Sequence, residues 1–395
     1  RRVLFTIFLT VLLDLIGFGM ILPILPFYGQ KFGASYLAVG ILFASYSLAQ
    51  LFFAPPLGRL SDRIGRRPVL VTSIAGSVLA YLLLAFAPSF WLLVLARGLS
   101  GIAASNYSIA QAYLADVSKP EERSKAMGLI GAAFGLGFVL GPAFGGALAH
   151  FGGANGDRTV ALAAAGLAAV NFLFALVWLP ESLPVELRNR AGRNVWFDVR
   201  GFAKLTGNAP LFGLLVLYFL VTFCFSLMEA TLTLFCQRKF GWGQSQISWF
   251  FVYIGIVLVL VQGGMIGPLV RRFGESRLIL SGIALMAIGL YLLPWAPTVL
   301  LLAGTGALLA IGNGLNSPTV LGLVSRLTDE SEQGGTIGVS RSFSALARTL
   351  GPPTGTFLFG LAGVRSAGWP FLAASGLLVL SLFYGWNLLR KVSLG

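Results

Sequence analysis

Near the start of this 395-residue chain, one carboxylate interrupts an apolar run. Val11 to Pro26 reads VLLDLIGFGMILPILP, and the wider run from Val3 to Tyr28 is 26 residues long. At ~1.5 Å per residue that length crosses a hydrocarbon core of ~30 Å. A charge at such depth costs on the order of 2.5–3.5 kcal/mol, so Asp14 is expected to face protein or a water-filled cavity. Thr6 and Thr10 share its helical face, with Gly17 one turn beyond. From the residues alone two readings stand side by side: a structural ion pair between helices, or a protonatable coupling site, a common role of intramembrane Asp.

The remaining composition says that Asp14 is not in a soluble core. The chain is 56% hydrophobic and 11% charged, with mean hydropathy +0.84, which predicts an all-α polytopic membrane protein. Apolar runs place twelve spans near 3–28, 36–58, 68–87, 90–114, 124–150, 159–180, 209–235, 244–268, 278–296, 298–324, 335–362 and 368–389. With the N-terminus inside, 20 of the 28 Lys and Arg fall in inner segments, 5 in outer loops, and Arg97, Arg341 and Arg348 within spans. That is the positive-inside bias, and it predicts two cytoplasmic termini. The net charge of +14 is thus a topology signal and implies no nucleic-acid partner. Cys224 and Cys236 have no disulfide or metal spacing, and His150 is the single histidine. No metal site or cofactor is expected, and no nucleophile–base pair suggests an enzyme.

Internal repetition divides the spans. Gly58, Leu60, Arg63 and Gly65 recur as Gly267, Leu269, Arg272 and Gly274 at an offset of 209. Gly141-Pro142-Ala143-Phe144-Gly145 recurs as Gly351-Pro352-Pro353-Thr354-Gly355 at an offset of 210. The expected organisation is a six-helix bundle over 1–180, a polar cytoplasmic linker over 181–208 and a second six-helix bundle over 209–395. Trp196, Phe197, Val199 and Phe202 suggest a short interfacial helix within the linker.

These motifs resemble those of the major facilitator superfamily, and within it the twelve-span drug:proton antiporters. Gly58-Arg59-Leu60-Ser61-Asp62-Arg63-Ile64-Gly65-Arg66-Arg67 resembles the signature between spans two and three. Leu13-Asp14 with Pro23 resembles the first-span motif, and Arg97 with Gly101 the fourth-span motif. Gly137, Gly141, Pro142, Gly145 and Gly146 resemble the fifth-span antiporter motif, and Leu179-Pro180-Glu181-Ser182 the end of span six. The first half is similar to tetracycline efflux proteins, including Gln50 before Ala54-Pro55. Spans eight and nine lack the intramembrane His and Asp of those pumps, so tetracycline itself is not the expected substrate. The resemblance implies a major facilitator fold of two pseudo-repeats in the bacterial inner membrane, working by alternating access as a monomer.

Roles follow for particular residues. Arg and Asp of the signature can cross-bridge helix ends while its glycines permit a close turn. Asp62, and by resemblance Asp116, are expected partners for Arg59, Arg63 or Arg66, forming a latch that holds one access state; simple anchoring of a basic loop is the bland alternative. Ser100, Ala104, Ser108 and Gln111 lie within roughly 60° of Arg97 on one helical face, and the resemblance puts Arg97 near the first span, within reach of Asp14. The fifth-span glycines imply close helix packing, and Pro142 a loosened turn; only the resemblance adds export. In the second half, Glu229 shares a face with Tyr218, Thr222, Ser226 and Thr233 and is a second candidate for proton or substrate contact. Gln50, Tyr46, Ser108, Gln111, Asn313, Asn316, Arg341 and Arg348 are candidate cavity residues. The expected function is proton-coupled export of small amphipathic compounds. A carrier for a metabolite, sugar or lipid is the first alternative, favoured if Arg341 and Arg348 bind anions, and a membrane sensor is the second.

Overall fold

Twelve successive helical stretches make up the computed structural model, which describes residues 2–118, 123–185, 188, 208–328, 333–361 and 367–392. In the first half, α1 (Arg2–Ile21) passes through a short turn at Pro23 into α2 (Leu25–Lys31). Next come α3 (Tyr36–Ile64), α4 (Arg66–Ala85), α5 (Phe90–Ala103), α6 (Asn106–Val117), α7 (Arg123–Gly152) and α8 (Gly156–Trp178). The second half holds α9 (Ala209–Phe240), α10 (Gln244–Leu260), α11 (Ile266–Phe273), α12 (Glu275–Leu292), α13 (Val299–Arg326), α14 (Gln333–Leu361) and α15 (Trp369–Val392). A wide π-turn at Val261–Met265, containing Gly263 and Gly264, joins α10 to α11.

Nine helical runs among the described residues are long and apolar enough to cross a membrane, one of them being the run Gly128–Trp178 that contains both α7 and α8. The fourth stretch misses that standard because it is split into α5 and α6, and α14 because Ser340, Arg341, Ser342, Arg348 and Thr349 dilute its apolar character. The suggested interfacial helix of Trp196, Phe197, Val199 and Phe202 lies outside the described residues.

The chain forms two compact units. The first comprises Arg1–Ala34, Ser45–Trp196 and Phe240–Tyr253; the second comprises Ser35–Ala44, Phe197–Lys239 and Ile254–Gly395. Within the first, α1 packs against α7 and α8, and α4 against α5 and α8. Within the second, α12 packs against α13 and α15.

The repeat is written in the backbone. Gly65 has φ 109° and ψ 157°, and its counterpart Gly274 has φ 78° and ψ 160°. Each is the lone residue between two helices, in a conformation that a Cβ strongly disfavours. The stretch expected as a loop between spans two and three is therefore helical up to Ile64. Gly65 alone makes the turn, so the chain needs no longer connection. Gly58 sits inside α3 with open space where a Cβ would go, so no close approach depends on it.

Close approach is found instead along α7, as it is at Gly40 of α3 and Gly101 of α5. A Cβ at Gly137 would lie 2.6 Å from Leu15 Cβ, at Gly141 2.6 Å from Gly19 Cα, and at Gly145 2.8 Å from the Met20 carbonyl oxygen. Gly146 points to the other side, 2.6 Å from Ser248 Cβ on α10. In the second unit, a Cβ at Gly351 would lie 2.9 Å from the Phe223 carbonyl oxygen and one at Gly355 2.7 Å from Leu227 Cγ, both on α9. Both halves thus use the same glycine pair to lay one helix on the backbone of another. Pro142 interrupts one hydrogen bond at most, since α7 runs on through it. Gly141→Leu forces α7 off α1 and should cost about 1–3 kcal/mol. Thermal unfolding in detergent measures this, and an unchanged Tm would show that the helices separate freely.

Candidate functional site

Asp14 lies on the face of α1 that meets α4 and α6. Ser77 Oγ donates to Asp14 Oδ1 at 3.4 Å, and Asn106 Nδ2 donates to Oδ2 at 3.3 Å. Among the described residues the carboxylate joins no ion pair. Its contacts among the described residues are neutral donors. Tyr81 stands one turn beyond Ser77 on α4, and its hydroxyl would lie 3.3 Å from a Cβ at Gly17. Glycine at position 17 is what admits the phenol against α1. One turn before Asp14, Asn171 Nδ2 of α8 donates to the Thr10 carbonyl at 2.9 Å and fixes the helix axially.

Arg97 lies near the first span, packed on aromatic rings. Its guanidinium carbon lies 4.5 Å from the Tyr46 ring centroid and 5.9 Å from that of Phe18, while the two rings are 5.0 Å apart. The side chain is 2% exposed, and its Nε has no hydrogen-bond partner among the described residues. A desolvated cation against two ring faces is worth ~2 kcal/mol, which accounts for its place on aromatic faces. Arg97 thus reaches α1 at Phe18, one turn from Asp14, and leaves the carboxylate to neutral donors.

The fourth stretch is two helices where one was expected. It breaks at Ala104 and Ser105, so Arg97 and Ser100 lie on α5 and Ser108 and Gln111 on α6. The Ala104 carbonyl accepts from Gln50 Nε2 at 3.3 Å and from the Tyr107 amide at 3.3 Å. Ser105 Oγ donates to the Gly101 carbonyl at 3.3 Å. These bonds take up groups that the break frees. The consequence is functional geometry: α6 restarts at Asn106, and that amide reaches Asp14.

A second cluster ties helix ends of the first unit together. Arg66 Nη1 pairs with Asp62 Oδ1 and donates to Ser61 Oγ at 2.8 Å, while Nε meets Asp116 Oδ2 at 3.1 Å. Glu181 caps α4, accepting from the Arg66 amide at 2.9 Å and the Arg67 amide at 3.3 Å. A carboxylate suits a helix N-terminus. Ser182 Oγ donates to Asp116 Oδ2 at 3.2 Å, Arg188 lies 3.6 Å from Glu181, and Tyr113 donates to the Pro180 carbonyl at 2.8 Å. Arg66 is the hub. Arg59 joins no ion pair among the described residues, and Arg63 is exposed.

The second unit repeats the hub with its signs exchanged. Glu275 occupies the position of Arg66 and Arg326 that of Asp116, and their side chains meet at 3.1 Å. Of the candidate residues in this unit, Asn316 is fully buried and donates to the Ile279 carbonyl at 3.0 Å. It fastens α13 to α12. Glu229 is half-buried and in no ion pair among the described residues, with Arg348 in electrostatic range. Asn313 and Arg341 are half-buried and Arg348 is exposed; Ser108 and Gln111 of the first unit are half-buried too.

A profile for the Major Facilitator Superfamily matches residues 7–266 and 240–393. The chain belongs to the Major Facilitator Superfamily. It is 32% identical over 379 residues to the tetracycline resistance protein, class C, of Escherichia coli, covering 94% of this chain and 93% of that protein. It is 30% identical over 441 residues to major facilitator superfamily domain-containing protein 10 of Homo sapiens, covering 100% of this chain and 93% of that one. Among solved structures it resembles the human organic anion transporter MFSD10 (TETRAN), with TM-score 0.75, 28% identity and coverage of 98% and 99%. This superfamily member is accordingly a multi-pass membrane transporter, helical over most of its described residues, with tetracycline resistance proteins among its relatives.

Sequence reasoning missed Ser77, Tyr81 and Asn106, and it took Glu181 as a span-end marker only. All were visible as polar side chains in or beside apolar spans, and Ser77 and Tyr81 are spaced one turn apart. Glu181→Gln keeps the shape of the α4 cap and removes its charge. Loss of about 1 kcal/mol is expected, read as a lower Tm of the purified protein. An unchanged Tm would mean the helix ends are held without it.

Proposed function

We propose that this transporter is a proton-coupled antiporter that exports small amphipathic compounds, with Asp14 as the site that exchanges the proton. The observation that carries the reading is the company Asp14 keeps: two neutral donors and, among the described residues, no ion pair. A carboxylate so placed can take up a proton without stranding a partner charge in the membrane, whereas protonating one member of a buried ion pair strands the other. The tetracycline resistance relatives support efflux as the direction of transport. In this reading the bundles span 1–180 and 209–395 around the 181–208 linker, both termini are cytoplasmic, and the membrane is the bacterial inner membrane. Arg66, Asp62, Asp116 and Glu181 act as the latch that steadies one access state, with Gly65 giving the turn its reach.

A second reading is a carrier for organic anions. It is favoured by Arg341 and Arg348 on α14 and by a relative described as an organic anion transporter. A compound panel that includes cationic, neutral and anionic amphiphiles separates the two.

The test uses purified Asp14→Asn in proteoliposomes. Asparagine keeps the shape but cannot cycle a proton, so transport driven by a pH gradient should fall to background while substrate exchange without net proton movement persists. A folded Asp14→Asn protein that still concentrates substrate under the gradient would contradict the assignment and move it to Glu229.

A further inference from the structure

The second unit carries a cavity of about 420 Å³ where α12 begins and α15 approaches its end, lined among others by Phe273, Arg277, Leu280, Trp386, Leu389 and Arg390. None of these residues belongs to the sites described above. Glu275 also borders the cavity, but its carboxylate is engaged by Arg326 at 3.1 Å. Arg277 is exposed and joins no ion pair among the described residues. The Arg390 guanidinium carbon lies 5.9 Å from the Trp386 ring centroid. The balance of charge at the cavity is therefore positive.

Its position is as telling as its charge. Helices begin and end at this level, so the cavity opens at the membrane–water boundary, where Trp and Arg side chains anchor. From it an apolar strip runs up α15 toward the middle of the span, with Phe383 66% and Leu380 67% exposed. A cationic pocket continuous with an outward-facing apolar strip matches an amphiphile with an anionic head and a hydrocarbon tail. A soluble anion would leave Leu280, Leu389 and the strip unused, and a zwitterionic head brings a cation against two arginines.

We propose that this cavity binds the phosphate headgroup of an anionic glycerophospholipid, with an acyl chain lying along α15. Basic pockets between transmembrane helices recognise such headgroups, and two cationic contacts of ordinary strength amount to about a thirty-fold preference over a neutral head. The proposal stands independently of what the transporter carries.

Native mass spectrometry of the full-length protein, with equal amounts of phosphatidylglycerol and phosphatidylcholine, tests it. The protein should retain phosphatidylglycerol preferentially. Arg277→Gln with Arg390→Gln should abolish that preference at unchanged Tm in detergent, and Arg277→Lys with Arg390→Lys should largely keep it. Equal retention of both lipids by the native protein, or an undiminished preference in the glutamine variant, would overturn the proposal. So would displacement of phosphatidylglycerol by millimolar inorganic phosphate alone, since the site would then serve a soluble anion.

Discussion

An ionisable group inside a hydrocarbon layer has to be reconciled with its surroundings, and around Asp14 the described residues do so with neutral donors and no ion pair. Ser77 and Asn106 each give one long hydrogen bond, and the cation Arg97 is taken up by the faces of Tyr46 and of Phe18, one turn along α1 from Asp14. Much of the first unit exists to make that arrangement possible. The break at Ala104 and Ser105 delivers Asn106, Gln50 caps the carbonyl left at the break, and Gly17 lets Tyr81 close on α1. Pairing Asp14 with Arg97 directly would have stabilised the charged form and opposed its neutralisation.

Glycine geometry supplies the frame. Gly137, Gly141 and Gly145 bring α7 to the backbone of α1, and Gly351 and Gly355 do the same for α14 on α9. At these contacts no side-chain layer lies between the two helices. The two one-residue turns at Gly65 and Gly274 likewise leave little slack between successive helices. The ion pairs on either side of the repeat then differ in a way that geometry permits: Coulomb attraction is indifferent to which helix carries which sign, so Arg66–Asp116 and Glu275–Arg326 fill equivalent places.

Much of this was legible in the residues before any coordinates. Apolar run length and the two repeat offsets predict the twelve stretches, because desolvated backbone admits little except helix. The helix contacts of Gly141 and Gly145 follow from spacing alone. What was hidden depends on side chains meeting across distant segments. Helical wheels assume unbroken helices, so they could not place Asn106 or anticipate that Arg97 and Ser108 lie on separate helices. Nor does spacing show that the Asn316 amide donates to the Ile279 carbonyl of α12. Glu181 lies 115 residues from Arg66, and no local pattern links a span-end carboxylate to a distant helix N-terminus.

The central claim, that Asp14 exchanges its proton against substrate, is tested most directly by measuring protons. Substrate is added to the purified protein in weakly buffered detergent solution with a pH indicator dye, at a series of starting pH values. The account predicts that substrate binding releases protons over a limited pH range and that Asp14→Asn, folded and able to bind, releases none. Equal proton release by the native protein and by Asp14→Asn would contradict it.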